Sequence, residues 1–371
     1  MPLKVTKVME GLYIIKTPEY PFDSNSYLFS LEDRNEKINL LIDPVPQKYF
    51  KDLISTLKDL IVSTENLDLI YVNHQDPDVT SSLAPLMDTS KNSLLITSED
   101  TWRLINFYGL PRERFQAIEY LPNRKVTLKT EHTLEFIHTP FCHFRGAWML
   151  FSPDKKILFS GDLLGGLSTK ERDGIYATQD SWDGIKLFHE IYMPSKEALK
   201  LAVDKIGRLV PLPDMILPQH GDIIRKDLIL DFLAKLNDLD VGLEIIKRYE
   251  RDQQSYLYAF NEILQNLKNI SKDKDKLMGK IREINSSPFF PELIHFENGV
   301  ATEFRIHPKS AIELLYDKFV EDLSPEEKES IKIDITKTLR KYNLEVPDGI
   351  IEEKQRTFES PFRRIFKIFQ R

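Results

Sequence analysis

Residues 71–80 read Tyr71-Val72-Asn73-His74-Gln75-Asp76-Pro77-Asp78-Val79-Thr80, which sets one imidazole and two carboxylates in a single short turn. The run Leu67-Asp68-Leu69-Ile70-Tyr71-Val72 before it has the apolar character of a buried strand. The segment Thr80-Ser81-Ser82-Leu83-Ala84-Pro85-Leu86-Met87 after it reads as the start of a helix. A turn rich in ligand-type side chains at the carboxyl end of a strand is where open α/β sheets keep their chemistry. The reading of the fold therefore depends on whether the rest of the chain brings further ligands to that turn.

Upstream, Gly11-Leu12-Tyr13-Ile14-Ile15, Ser26-Tyr27-Leu28-Phe29 and Ile38-Asn39-Leu40-Leu41-Ile42 read as strands, the last stopped by Asp43-Pro44. Between Phe50 and Val62 the apolar residues Leu53, Ile54, Leu57, Leu60 and Ile61 follow a helical period. Downstream, Leu94-Leu95-Ile96-Thr97 is a short strand, and Ser98-Glu99-Asp100 caps a helix that runs to about Tyr108 and closes at Gly109. The runs Leu134 to His138, Ala147 to Phe151 and Ile157 to Ser160 form an antiparallel group, with a turn at Asp154-Lys155. Residues 183–207 read as helical, and Met215-Ile216-Leu217 is a last short strand. Ligand-type residues recur at the ends of these elements. His143 closes His138-Thr139-Pro140-Phe141-Cys142-His143, Asp162 follows Gly161, and His220 sits in Pro218-Gln219-His220-Gly221. The pattern is an α/β arrangement with helices outside a two-sheet core.

At 371 residues, with 41% hydrophobic and 29% charged content, the chain has room for a large domain and a further module. A net charge of -7 argues against nucleic-acid binding through bulk charge. The single cysteine, Cys142, leaves no internal disulfide and points to a reducing, cytoplasmic setting. Neither a secretory leader nor an apolar run of the ~18 residues a membrane span needs is expected.

Five pieces occur in order across residues 5 to about 235: Leu41-Ile42-Asp43, the His74 turn, the His-Thr-Pro segment ending at His143, Phe159-Ser160-Gly161-Asp162, and Pro218-Gln219-His220-Gly221. Together they resemble the metallo-β-lactamase superfold, which implies a four-layer αββα domain. Hydrolases of that superfold carry His-x-His-x-Asp-His at the first turn. Here Asp76 and Val79 stand where the second and last of those histidines would be. The three-imidazole zinc site is lost. The resemblance is instead to the flavodiiron proteins and their flavin-free relatives, the oxygen-binding diiron proteins. It implies two iron ions: a first on His74, Asp76 and His143, a second on Asp78 and His220, and Asp162 bridging them. Two imidazoles and a carboxylate with open positions suit non-haem Fe(II) and O₂. The segments Leu187 to Ser195 and Ile216 to Ile224 are similar to those this branch carries before and around its last ligand. Two positions depart from the pattern. The branch usually has Glu where Asp76 stands, and its reductases have His where Val79 stands. The second iron is thus left one ligand short, with an extra open position.

Flavodiiron reductases continue into a flavodoxin domain, which needs a phosphate-cradling loop after a strand. Residues 235–371 read as something else, so no FMN is expected in this chain. The division expected is a diiron domain over 1–235, a heptad helix over 236–284 and a small α+β C-terminal module over 285–371. Ile246, Tyr249, Tyr256, Phe260, Ile263, Leu267, Ile270, Leu277 and Ile281 fall on alternating steps of three and four, with Gln253 and Lys274 the polar positions of the seam. Such a helix either packs on its own domain or forms a coiled coil that makes a homodimer. Beyond Asn285-Ser286-Ser287-Pro288, Phe296 to Arg305 reads as strand and Ser310 to Glu321 and Pro325 to Tyr342 as helices. Ser324 and Glu327 form a capping box for the last. The basic, aromatic tail 362–371 reads as a short helix that docks on its own domain rather than on a membrane.

The function expected is a diiron oxygen-binding protein. It would be a sensor or handler of O₂ with a C-terminal output or dimerisation module, and with a redox or signalling protein as partner. Three alternatives stand beside it: a reductase of O₂, NO or peroxide fed by an external electron donor, a hydrolase using zinc-bound hydroxide, and a scaffold whose metal site has decayed. Of the other candidates, His138 is expected to make a structural hydrogen bond and Cys142 to be a buried inert thiol. Trp148, Phe141, Phe144 and Tyr176 are candidates to wall the pocket, and each taken alone reads as ordinary core.

Overall fold

The computed structural model describes residues 2–19, 22–33, 36–167, 174–270, 274–285, 292–321 and 323–351, which fall into two compact units, Met1–Leu239 and Asp240–Arg371.

In the first unit, side-chain alternation sorts the strands between two cores. The strands β1 (Lys4–Met9), β2 (Leu12–Lys16), β3 (Asn25–Asp33), β4 (Glu36–Ile42), β5 (Leu69–Tyr71), β6 (Leu94–Thr97) and β7 (Phe115–Ala117) lie side by side in chain order. They pair antiparallel from β1 to β4 and parallel from β4 to β7. Leu12, Ile14, Tyr27, Phe29, Leu40, Ile42 and Tyr71 point into one core, and Ile15, Leu28, Leu41, Ile70 and Val72 into the other, as a period of two requires. The second core is closed by helices: Leu53, Leu57 and Ile61 of α1 (Phe50–Ile61), Val79 of α2 (Pro77–Thr80), Leu83 and Leu86 of α3 (Leu83–Thr89), and Trp102 and Ile105 of α4 (Glu99–Ile105). The chain beyond α4 continues as a 3₁₀ turn and stops at Gly109, φ 79°.

The first core is closed by a second sheet. Its strands are β8 (Lys125–Thr127), β9 (Thr133–His138), β10 (Trp148–Ser152), β11 (Ile157–Gly161), β12 (Met215–Pro218) and β13 (Ile224–Arg225), arranged β13-β12-β11-β10-β9-β8. Leu134, Phe136, Trp148, Leu150, Phe159 and Leu217 face the first sheet. Phe159 meets Tyr27 at 5.4 Å and Phe29 at 5.7 Å between ring centroids. Burying each such ring stabilises the sandwich by about 1.5–3 kcal/mol. The parallel pair β11–β12 needs a crossover, supplied by α5 (Ser181–Tyr192) and α6 (Lys196–Gly207). Helix α7 (Lys226–Asp238) packs on α6 and on β12 and β13. The layers are helices, sheet, sheet, helices, as the αββα expectation has it.

Two boundaries differ from the sequence reading. The stretch 183–207 is two helices, because Pro194 forces Met193 into an extended conformation (ψ 130°) and Ser195 then caps α6 through the Ala198 N–H. The helix after the His74 turn begins earlier than Thr80, at Pro77, which makes Asp76 its N-cap residue.

The second unit is built from α8 (Leu243–Ile270), α9 (Lys274–Asn285), β14 (Ile294–Glu297), β15 (Val300–Phe304), α10 (Pro308–Val320) and α11 (Pro325–Lys341). The seam runs along α8 and α9, and residues 271–273 between them lie outside the described residues. Phe260, Ile263, Leu267 and Ile281 are buried within this unit, with Phe260 edge-on to Phe304 at 5.0 Å. Helix α8 lies along α11 and β15, so these seam positions follow the own-domain reading. Ile246 is 54% exposed, and the side chains of Tyr249, Gln253, Ile270, Lys274 and Leu277 lie outside the described residues. The stretch 296–305 belongs to a hairpin turning at Asn298-Gly299, both at positive φ, a dipeptide that favours such turns. The capping box of Ser324 and Glu327 is present. The tail 362–371 lies outside the described residues. Among the described residues, no helix is long and apolar enough to cross a membrane.

Candidate metal centre

The site is built at the carboxyl ends of β4, β5 and β11 and the end of β12. At the end of β4, Asp43 accepts the Asn73 N–H at 2.8 Å, and burial pushes its carboxyl up to about 7. The Asn73 side-chain amide and the Tyr71 hydroxyl both donate to the Trp148 carbonyl, stitching the end of β5 to the second sheet. The chain then turns. Pro77 sets the first turn of α2, and the Thr80 hydroxyl donates back to the Asp76 carbonyl at 2.7 Å. His74, Asp76 and Asp78 are thus presented from one fixed turn.

The other candidates converge on it. His143 Nε2 lies 2.9 Å from Asp76 Oδ2 and 3.0 Å from Asp162 Oδ2. His74 Nε2 lies 3.6 Å from each of the same two oxygens. A second group forms beside the first: His220 Nε2 is 3.3 Å from Asp78 Oδ2 and 3.6 Å from Asp162 Oδ1. Asp162 therefore turns one oxygen to each group. It is 3% exposed, and Oδ1 has no hydrogen-bond partner among the described residues. A buried carboxylate oxygen in that state is costly unless a cation takes it. The donor set of imidazoles and carboxylates fits one or two divalent transition metals. His74, Asp76, His143 and Asp162 place ligand atoms within 4.8 Å of one another.

The electrostatics follow from the same packing. Burial opposes charge on His74, but Asp162 and Asp76 outweigh it and push the imidazole up to about 9. His143 is pushed up to about 10 against its burial by the same two carboxylates. Burial works to raise Asp162 as well, yet the three histidines hold it down to about 2. Asp76 is held well below the usual carboxylate range by His143 and His74, against its own burial. His220 is raised, with Asp78 and Asp162 overcoming burial.

Two of the three imidazoles are also oriented from behind. His220 donates its Nδ1–H to the Asp23 carbonyl at 2.8 Å, and Asp23 pairs with Lys16 at 2.6 Å. His74 donates to Asn73 Oδ1 at 3.2 Å. These bonds leave both Nε2 atoms facing the centre. Other aromatic side chains lie beside the ligands. Phe22 lies 4.4 Å and Phe188 5.3 Å from His220, and Tyr192 lies 6.2 Å from His143, all between ring centroids. Trp148 instead stacks on His138, Phe141 is 51% exposed, and the Tyr176 hydroxyl reaches the Val8 carbonyl. His138 donates to the Arg145 carbonyl, a structural role. Burial pushes the Cys142 thiol up to about 12, which makes it inert. His189, which drew no reading from sequence, donates to the Ile185 carbonyl, accepts the Leu164 N–H, and is pushed down to about 4 by burial, so it is a neutral core histidine. Gln219 was also missed. Its Nε2 donates to Asp78 Oδ2 at 2.5 Å. Its signal in the sequence was adjacency to His220.

A profile for the family described as ODP family beta lactamase matches residues 22–221. The chain belongs to this family. That span holds all six candidate ligands. The chain is similar to an uncharacterized protein of Methanocaldococcus jannaschii, 26% identical over 252 residues, which cover 64% of this chain and 61% of that one. It is 24% identical over 260 residues to a flavo-diiron protein of Clostridium acetobutylicum, covering 68% and 62% respectively. It spans less than two thirds of the length of either relative. Among solved structures it is similar to the chemotaxis sensor ODP in a peroxy diiron species, at a TM-score of 0.55 and 25% identity, covering 67% of this chain and 99% of the sensor. The first unit of this ODP family member thus has the metallo-β-lactamase fold of the diiron branch.

Proposed function

We propose that this ODP family member is a diiron oxygen-binding protein that senses or handles O₂, with the second unit as an output or dimerisation module. The observation that supports it best is Asp162, whose two oxygens face two separate ligand groups. On this reading His74, Asp76 and His143 hold a first iron, Asp78 and His220 a second, and Asp162 is shared. Iron bound there would supply redox chemistry toward O₂. The protein's part is to keep the carboxylates ionised, to present each Nε2 through the bonds made behind His74 and His220, and to keep water from one side with Phe22, Phe188 and Tyr192. Asp76, standing where the superfold's hydrolases carry an imidazole, favours iron over the zinc alternative. A sensor role is favoured because the chain covers 99% of the chemotaxis sensor but 62% of the flavo-diiron relative. A cytoplasmic homodimer, and a redox or signalling protein as partner, complete the proposal.

The test is metal analysis of full-length protein prepared anaerobically with iron, followed by the optical spectrum before and after adding O₂. Two irons per chain and a new O₂-dependent visible band are expected. Stoichiometric zinc with no spectral response would sink the proposal. The flavo-diiron relative favours a second reading, a reductase of O₂, NO or peroxide fed from outside. Turnover with a reduced rubredoxin or flavoprotein as donor distinguishes it.

A further inference from the structure

The second ligand group offers Asp78, His220 and one oxygen of Asp162. Val79, the neighbour of Asp78, adds nothing to it: the side chain is 1% exposed and belongs to the helix-side core with Leu83 and Leu86. Gln219 lies against the same group. It is 1% exposed, and its backbone is pinned on both sides, the N–H donating to the Gly161 carbonyl at 2.8 Å and the carbonyl accepting the Asn25 N–H at 2.6 Å. The end of its side chain is held at the centre, with Nε2 2.5 Å from Asp78 Oδ2, the oxygen that also faces His220. The other end of the amide, Oε1, is buried and accepts no hydrogen bond among the described residues. A buried amide oxygen left in this state is costly.

We infer that Gln219 is the further ligand of the second metal, its amide oxygen filling the place that Val79 leaves empty. The inference rests on the metal-centre reading above. A half-turn about the last side-chain bond exchanges Nε2 and Oε1 without moving the backbone or the rest of the side chain. In the metal-free protein the negative Asp78 favours the N–H₂ end. With a divalent cation on Asp78, the balance reverses, because a neutral carbonyl oxygen is a ligand and an N–H₂ group is not. The amide thus caps Asp78 in one state and joins it as a donor in the other.

The experiment uses the full chain and two variants, Gln219→Leu and Gln219→Glu, titrated anaerobically with Fe(II) against a competing chelator. Metal count per chain and the two dissociation constants are the readout. Gln219→Leu should keep the first metal and lose ~10–100-fold in affinity for the second. Gln219→Glu should bind the second metal at least as tightly as wild type, since a carboxylate replaces the amide oxygen. A residue that only positions Asp78 through its N–H gives the opposite result, because glutamate has no N–H to donate and repels Asp78. Loss of the second metal in Gln219→Glu, or unchanged binding in Gln219→Leu, overturns the inference while leaving the two-metal reading intact. Wild-type protein that takes up only one metal overturns both. Retention of the first metal shows that each variant has folded, and if Gln219→Leu does not fold, the Gln219→Glu result decides alone.

Discussion

Asp162 faces His74 and His143 with one oxygen and His220 with the other, so a change at one atom reaches both groups. Asp162→Asn swaps a charged oxygen for an amide nitrogen that cannot ligate. Metal content should fall from two per chain to below one, and a variant that retains full iron would show that Asp162 does not bridge. Protons compete for the same atoms. In the metal-free protein, the raised His74 and His143 stabilise the fold fully below about 6.5, the free imidazole range, and that contribution is lost as pH climbs through about 9 to 10. Metal must displace those protons, so affinity should rise with pH across the neutral range and up to about 9. Calorimetry at pH 7 in two buffers of different ionisation enthalpy should read proton release on loading; identical heats in both buffers would contradict it. The six ligand candidates were legible in the sequence because each is a titratable side chain at the end of an apolar run. Gln219 and His189 were not. The role of an amide depends on which end faces which neighbour, and that of a lone histidine on whether a carbonyl or a carboxylate stands beside it.

At the scale of elements, two local fits hold the ligand loops in place. Gly161 ends β11 at φ 60°, and a Cβ there would lie 2.2 Å from the side chain of Asn73. Gly161→Ala should therefore push Asn73 and His74 apart from Asp162, lowering metal uptake and costing about 1–3 kcal/mol of backbone strain. Denaturant unfolding and metal analysis together check it; wild-type values for both would mean that the contact yields without consequence. The α2 turn points Val79 into the helix-side core. Val79→His should cost the metal-free fold about 1–3 kcal/mol for a buried polar ring, and an unchanged unfolding midpoint would place residue 79 elsewhere. Strands and some helix caps could be read from alternation and from Ser98 and Ser324. Helix breaks were harder: residues on both sides of Pro194 keep a helical period, so the pattern alone ran through it. The seam of α8 left two readings open. Phe260, Ile263 and Leu267 show the spacing that either a partner helix or the protein's own α11 and β15 would select.

For the whole molecule, the two units are each compact, and all six candidate ligands lie in Met1–Leu239. Protein ending at Leu239 should therefore fold and take up the same number of metals as the full chain. Metal analysis with a thermal melt tests this, and a truncated protein that folds but binds less metal would bring the second unit into the centre. The sequence made the sandwich readable across this first unit because its motifs fall at strand ends in a fixed order. It said less about the second unit, where helices and one hairpin meet and no ligand-type cluster marks a site among the described residues. The ligand order along the chain has a further consequence, in time rather than space. His220 is held by the carbonyl of Asp23, 197 residues earlier, and joins the others only when β12 pairs with β11. During synthesis, His74, Asp76, His143 and Asp162 all emerge before His220 does. For that interval the growing chain has every donor of its first group and an incomplete second, so it first meets the cell's metal pool equipped for a single ion.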